Sequence, residues 1–279
     1  LNKADIIFKQ QIEDVLNNGT WDENPRPRYE SDGEIAYTKF ISQVYEDYHL
    51  DKGEFPITTL RPIGWKSAIK ELLWIYSDQT NELSVLKDKY NIHWWDSWQV
   101  EGTGNIGQRY GATVKRYDLI NKLIKGLKEN PFGRRHLLNL WQEQDFSETD
   151  GLLPCAMLSS YTVRKVGDDY YLDATLFQRS SDYLVAGHIN MVQYVALQMM
   201  LAHECGMKVG KFVRFTQNIH IYDRHYEQAH ELLSRPVTTK QPRLILNAEG
   251  KSFYDINIDD FEMIDYEPTR PQLKFDLGI

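Results

Sequence analysis

Cysteine is scarce in this chain: Cys155 and Cys205 are the two among 279 residues. Two cysteines make no disulfide framework. The start, Leu1-Asn2-Lys3-Ala4-Asp5, lacks a signal-like apolar run, so a reducing, cytoplasmic setting is expected. No apolar run approaches the ~18 residues of a membrane span, and no membrane partner is expected. Repeats, low-complexity tracts and Gly/Ser linkers are also missing, so residues 1–279 read as a single domain. There is no glycine-rich dinucleotide loop. Positive charge is in deficit: 32 Lys and Arg stand against 40 Asp and Glu, a net charge of −8. That argues against a protein built to coat nucleic acid. It does not exclude an anion site, which needs only a local arginine cluster. Arg134, Arg135 and Arg179 can supply one.

What is present is globular: 42% hydrophobic, 13% aromatic and 26% charged residues, enough to bury a substantial core. Residues 4–18 carry helical periodicity and stop at Gly19. A polar loop with two prolines and two arginines follows over 24–33, then a strand over 35–45. Residues 66–76 read as a helix with Ile69, Leu72, Leu73 and Tyr76 on one face; 90–110 is an aromatic, glycine-rich loop; 117–129 is an amphipathic helix stopped by Asn130-Pro131. Strands are expected over 136–141, 155–164 and 170–178, the last two joined by a turn at Val166-Gly167-Asp168-Asp169. Residues 188–205 are apolar nearly all round, as in a buried helix. A strand over 211–217 leads to His220 and Tyr222, a helix covers 224–233, and strands at 243–247 and 261–266 close the sheet. Antiparallel neighbours dominate, so the class is α+β.

Several side chains can carry chemistry. Cys155, in Leu153-Pro154-Cys155-Ala156, is the candidate nucleophile, and a nearby guanidinium such as Arg179 would favour its thiolate. Arg179 also suits bidentate phosphate binding; its plain reading is a strand-end surface charge. Cys205, in a helix tail, reads as structural. Glu71, among Leu72, Leu73 and Trp74, is either a buried carboxyl with a raised pKa or a solvent-facing helix residue beside Lys70. The amide of Asn190 offers a donor and an acceptor. That pair can read a paired donor and acceptor on a ligand's edge, and an N-cap role is the alternative. His220 and Tyr222 alternate on a strand and share a face. Trp95, Trp98 and Tyr110 offer flat surfaces for a ring system, or are core. No metal is expected: His220, His225 and His230 are five residues apart and share no helix face.

Cys155 with Gln178-Arg179-Ser180-Ser181-Asp182 resembles the nucleophile and phosphate motifs of the thymidylate synthase family. Glu71-Leu72-Leu73-Trp74, Trp95-Asp96-Ser97-Trp98, Tyr110-Gly111, Arg134-Arg135, Asn190 and His220-Ile221-Tyr222 follow in the family's order, over nearly the whole chain. The resemblance implies one large mixed sheet with helices on one face, and a homodimer with sheets stacked back to back. It implies that Gln178, Arg179, Ser180 and Asn190 bind dUMP, with Arg26 as the N-terminal phosphate arginine and Arg28 close behind. It puts Arg134 and Arg135 on the partner's nucleotide phosphate, so that active sites are shared. It puts His220 and Tyr222 on the ribose hydroxyl, and Glu71 among water and protons near carbon 4, with Tyr110 in the catalytic group. Trp95, Trp98, Asp182 and the apolar end at Ile279 would hold the folate. The chain departs from the family pattern at Ala156, where histidine is usual, and at Trp94, commonly aliphatic. It also departs at Val185-Ala186-Gly187-His188-Ile189 and Thr216-Gln217-Asn218.

The implied reaction is reductive methylation of dUMP to dTMP. Its co-substrate is 5,10-methylenetetrahydrofolate, which gives both carbon and hydride and becomes dihydrofolate, with no metal. The alternatives are a pyrimidine hydroxymethylase on the same scaffold, and a non-catalytic nucleotide- or RNA-binding protein.

Overall fold

The structure, a computed structural model, describes residues 1–279. Helix α1 (Lys3–Asn18) opens the chain, its first turn capped by the Asn2 side chain on the Ala4 N–H at 3.2 Å. Strands β1 (Thr20–Trp21) and β2 (Thr38–His49) follow. Then come helices α2 (Trp65–Tyr76), α3 (Leu83–Tyr90), α4 (Gly111–Arg116) and α5 (Leu119–Glu129). Strand β3 (Leu137–Asn139) and helix α6 (Glu143–Glu148) lead to the long hairpin of β4 (Ala156–Val166) and β5 (Asp169–Gln178). The short β6 (Ser181–Asp182) precedes α7 (Gly187–Glu204) and β7 (Lys208–Tyr222). Helix α8 (Tyr226–Ser234) and strands β8 (Arg243–Leu246) and β9 (Phe261–Ile264) complete the elements.

One mixed sheet organises the chain, in the order β1-β2-β7-β5-β4-β3, with β6 beside β7. The β5–β7 and β6–β7 pairs are parallel, and the other ladders are antiparallel. The parallel pair arises because α7 is the crossover between β5 and β7. Alternation decides the faces. Phe212, Leu172, Leu176, Tyr161 and Val163 are buried beneath α7 in one core. Helix α7 is buried nearly all round, and each fully buried leucine in it contributes about 1.5–3 kcal/mol. On the opposite face Tyr45, Phe215, Phe177 and Leu158 are in register across four strands. Their aromatic rings touch, with Tyr45–Phe215 and Phe177–Phe215 centroids 5.1 and 5.8 Å apart. No helix covers that row, and Tyr45 and Phe215 are exposed.

Inside the sheet, Glu46 of β2 pairs with Arg214 of β7, both fully buried. The same guanidinium donates to the Gly187 carbonyl at 2.7 Å, and the Tyr183 hydroxyl donates to Glu46 at 3.1 Å. A charge pair so deep is tolerated because its donors and acceptors are used. It ties the first residue of α7 to the sheet. The β2–β7 ladder keeps one register throughout but breaks at the facing pair Gln43 and Gln217, where Gln43 takes φ +61°. Beyond that break the buried positions of β7 pass from Phe212, Arg214 and Thr216 to Ile219 and Ile221. By alternation, His220 and Tyr222 then share the other face.

Three expectations are corrected. Strands β8 and β9 do not close the main sheet; they pair only with each other. Strand β7 runs over 15 residues rather than seven, because Lys208 and Val209 continue the ladder to β5 and Asn218–Tyr222 the ladder to β2. The expected helix over 117–129 starts at Leu119, since Asp118 takes φ +51° and separates it from α4. Helices α3, α4 and α6, of six to eight residues, are too short to show a clear period.

Candidate active site

Cys155 lies one residue before β4, and Arg179 one residue after β5. Because Ala156 pairs with Gln178, the two meet at one end of the hairpin. The Arg179 Nη2 is 3.6 Å from the Cys155 Sγ. Its Nε and Nη2 also donate to the carbonyls of Pro154 and Leu153 at 3.0 and 2.8 Å, which fixes the guanidinium beside the thiol. The net effect on the thiol differs from the sequence expectation. Burial pushes its pKa above the ordinary value; Arg179, then Arg26, pull it down without reversing the shift. Cys205, at the end of α7, is pushed up to about 11 by burial.

The two N-terminal arginines are separated by their contacts. Arg28 turns Nη1 back onto the carbonyls of Pro25, Arg26 and Pro27 at 3.0, 3.1 and 3.0 Å. Arg26 makes no such bond and lines the cleft that Arg179 also lines. Arg134 and Arg135 are both exposed just before the edge strand β3. Neither takes part in an ion pair or a side-chain hydrogen bond within this chain.

Behind Cys155 a row of polar side chains crosses between helices. Gln178 Nε2 donates to Asn190 Oδ1 at 2.9 Å, and Asn190 Nδ2 donates to Gln193 Oε1 at 3.1 Å. Gln193 Nε2 donates to Glu71 Oε1 at 2.8 Å. The other Glu71 oxygen accepts from the indoles of Trp95, at 2.9 Å, and Trp94. Asn190 is in the first turn of α7 but Ala186 is the N-cap residue, so its amide is not spent on capping. Glu71 is buried rather than solvent-facing, and burial raises its pKa against the hydrogen bonds from Gln193, Trp95 and Trp94. Buried Gln178 keeps its Oε1 without a partner.

Tyr110 opens α4 with φ +46° and ψ −111°, an uncommon conformation for a bulky residue. The neighbouring Gly111 explains how it is held: a Cβ there would stand 2.2 Å from the Thr80 carbonyl. The Tyr110 hydroxyl accepts the Cys155 N–H at 3.4 Å. Its ring meets Trp95 edge-on at 5.2 Å, and Trp98 meets Trp95 at 5.7 Å. Trp95 is buried, with its N–H used on Glu71, whereas Trp98 is half-buried.

Two spaces are bounded by neighbours of Cys155, one by Ala156 and the other by Leu153 and Arg179. A cavity of about 40 Å³ is bounded by Glu71, Tyr110, Ala156, Asn190 and Gln193. An open cleft of about 900 Å³ is bounded by Arg26, Trp98, Trp141, Leu153, Arg179 and Ile279. Ser180 follows Arg179, half-buried. His220 bonds the Asn218 side chain at 3.0 Å, and burial pushes its pKa down to about 4, which keeps it neutral at pH 7. Its ring is edge-on to Tyr222, centroids 5.4 Å apart. The Tyr222 hydroxyl donates to the Gly278 carbonyl at 3.5 Å, while Arg28 and Ile279 exchange two backbone hydrogen bonds at 2.9 Å. Asp182 accepts the Val185 N–H at 3.4 Å, its pKa raised by burial; it borders neither space.

Sequence reasoning did not single out Gln193 or Trp141, and noted Trp94 only as a departure. The signal for Gln193 was available: a polar residue in an apolar helix, three positions after Asn190 and so on its face.

The family model described as thymidylate synthase matches residues 6–279. The chain is 58% identical over 280 residues to a thymidylate synthase of Streptococcus pneumoniae (strain ATCC BAA-334 / TIGR4), covering 100% of each. It is 57% identical to one of Streptococcus gordonii, again over 100% of each. Among solved structures it is similar to thermostable thymidylate synthase A from Bacillus subtilis. That likeness has a TM-score of 0.90 and 31% identity, and covers 99% of each chain.

Proposed function

Since this chain belongs to the thymidylate synthase family, an enzyme family of methyltransferases, we propose that it converts dUMP and 5,10-methylenetetrahydrofolate to dTMP and dihydrofolate by the following division of labour. Cys155 loses its proton and its sulfur bonds to carbon 6 of the uracil. The displaced electron pair makes carbon 5 nucleophilic. The folate's one-carbon unit bonds to carbon 5; carbon 5 then gives up its hydrogen as a proton while the bond from that unit to the folate nitrogen breaks, and the folate's hydride reduces the resulting methylene as the Cys155–carbon bond breaks to release product. The observation that carries this reading is the Cys155 Sγ held 3.6 Å from Arg179, the arginine that lines the 900 Å³ cleft.

Arg26, Arg179 and Ser180 take the phosphate. Asn190, steadied by Gln178, reads the uracil edge, and His220 and Tyr222 take the ribose. Glu71, pushed upward by burial, moves a proton near carbon 4, and Tyr110 holds the Cys155 backbone. Trp98 and Ile279 line the cleft that takes the folate, with Trp95 behind Trp98; the family's pattern adds Asp182. The active unit is a cytoplasmic homodimer, which the bare row Tyr45–Phe215–Phe177–Leu158 and the unpaired Arg134 and Arg135 support. Residues 1–279 act as a single catalytic domain, supported by the bonding of Arg28 to Ile279. No helix is long and apolar enough to cross a membrane.

The test is covalent trapping. With 5-fluoro-dUMP and methylenetetrahydrofolate, the wild-type chain is expected to form a ternary adduct on Cys155, visible by mass spectrometry. With dUMP it should yield dTMP and dihydrofolate in equal amounts. No adduct would remove the enzyme reading. Hydroxymethyl-dUMP in place of dTMP would make it a hydroxymethylase.

A further inference from the structure

We propose that Gln193 is a positioning residue that sets which way round the Asn190 amide faces, and so helps the enzyme choose uracil over cytosine. The proposal rests on the dUMP reading above.

The orientation follows from what each neighbour can accept. The hydrogen bonds from Gln193, Trp95 and Trp94 favour the ionised form of Glu71 against its burial, and that form is an acceptor only. It already receives the indole N–H groups of Trp94 and Trp95 on one oxygen. Its other oxygen faces Gln193 at 2.8 Å, so Gln193 must turn its NH₂ there. That leaves the Gln193 carbonyl oxygen pointing along α7 to Asn190, 3.1 Å away. Asn190 must in turn present its NH₂ to Gln193, and its oxygen faces away. A carbonyl oxygen on the open side accepts the N–H at position 3 of uracil. The second hydrogen of the NH₂ remains for the oxygen at carbon 4. Cytosine has an acceptor at position 3 and a donor at carbon 4, and meets this amide with like groups on both edges. A flipped Asn190 would suit cytosine instead. The only protein groups that oppose the flip are Gln178 on one end and Gln193 on the other.

Two of this chain's own departures converge here. Trp94 adds a second indole donor to Glu71. Ala156, with no polar side chain, borders the same 40 Å³ cavity as Glu71, Asn190 and Gln193. With Ala156 silent, the link from the carboxylate to Asn190 runs through Gln193 alone. The ionisable groups facing Glu71 are the phenols of Tyr110 and Tyr194, both pushed upward mainly by burial, so neither competes for the carboxylate as a charge near neutral pH.

Two variants of similar volume separate the two bonds of Gln193. Gln193→Met removes both. Gln193→Glu keeps an acceptor for Asn190 but sets a carboxyl against Glu71. Steady-state kcat/KM is measured for dUMP and for dCMP, with pH–rate profiles and thermal melts. Gln193→Met is expected to lower the dUMP-to-dCMP ratio about tenfold, the effect of one hydrogen bond, with its melting temperature near wild type. Gln193→Glu is expected to hold the ratio within about twofold while moving the acidic limb of its pH profile upward, since two carboxyls share one site. A folded Gln193→Met with an unchanged ratio overturns the proposal. So does a Gln193→Glu that loses discrimination as fully as Gln193→Met. If Gln193→Met does not fold, Gln193→Glu alone decides by the same ratio. Failure of the dUMP reading looks different, since wild type itself would then turn over neither nucleotide.

Discussion

Cys155 and Cys205 are chemically identical thiols, and burial raises both. They differ in what stands beside them: Cys155 has Arg179 within 3.6 Å, and Cys205 has no arginine. Cys155→Ala is therefore expected to lower turnover by at least about 10³-fold while dUMP still binds, measured by calorimetry. Cys205→Ala should keep its activity. Equal losses in the two variants would indicate structural damage and remove Cys155 as nucleophile. Single residues with a motif around them were the legible part of the site. The roles of Cys155, Arg179 and Asn190 could be proposed from neighbours in the sequence. The direction of the Cys155 shift could not, because it depends on how much water the fold removes. Nor could the choice between Arg26 and Arg28, which turns on Arg28 folding back on three carbonyls.

At the scale of elements, the site exists because α2 and α7 pack together and bring Glu71 to Gln193 and Asn190. Both helices were readable from their apolar patterns. The separate β8–β9 ribbon was not, since four apolar residues do not say which edge they pair with. The break at Gln43 was also hidden, and past it His220 and Tyr222 share a face. The final segment is held against Tyr222 with no spare room: a Cβ on Gly278 would lie 2.5 Å from the Tyr222 ring. Gly278→Val should break the two backbone hydrogen bonds that hold Ile279 to Arg28. The expected result is a KM for folate raised about 10- to 100-fold, with dUMP affinity nearly unchanged. An unaltered folate KM would show that this segment does not close over the cofactor.

The whole molecule responds to acid through its buried histidines. Burial, then the charge of Arg214, push His188 down to about 3, while an unfolded histidine titrates near 6.5. Below pH 6.5 the unfolded chain therefore binds a proton that the folded chain refuses, so stability is lost as pH falls. From His188 alone, moving from pH 6.5 to pH 5 should cost about 2 kcal/mol. His188→Asn should flatten the pH dependence of the urea midpoint by that amount; an unchanged slope would refute the assignment. The shared-site proposal is tested by mixing Cys155→Ala with an Arg134→Ala, Arg135→Ala double variant. If the arginines act across the dimer, one site in each mixed pair has every part it needs, and activity returns. Mixed dimers without activity would confine the arginines to their own chain. The bare row Tyr45–Phe215–Phe177–Leu158 carries a cost before any pairing occurs. A newly folded lone chain wears an adhesive stripe, and other half-folded chains compete with the correct mate for it. Recovery from urea should then peak at an intermediate protein concentration: too dilute and partners rarely meet, too crowded and clumping wins.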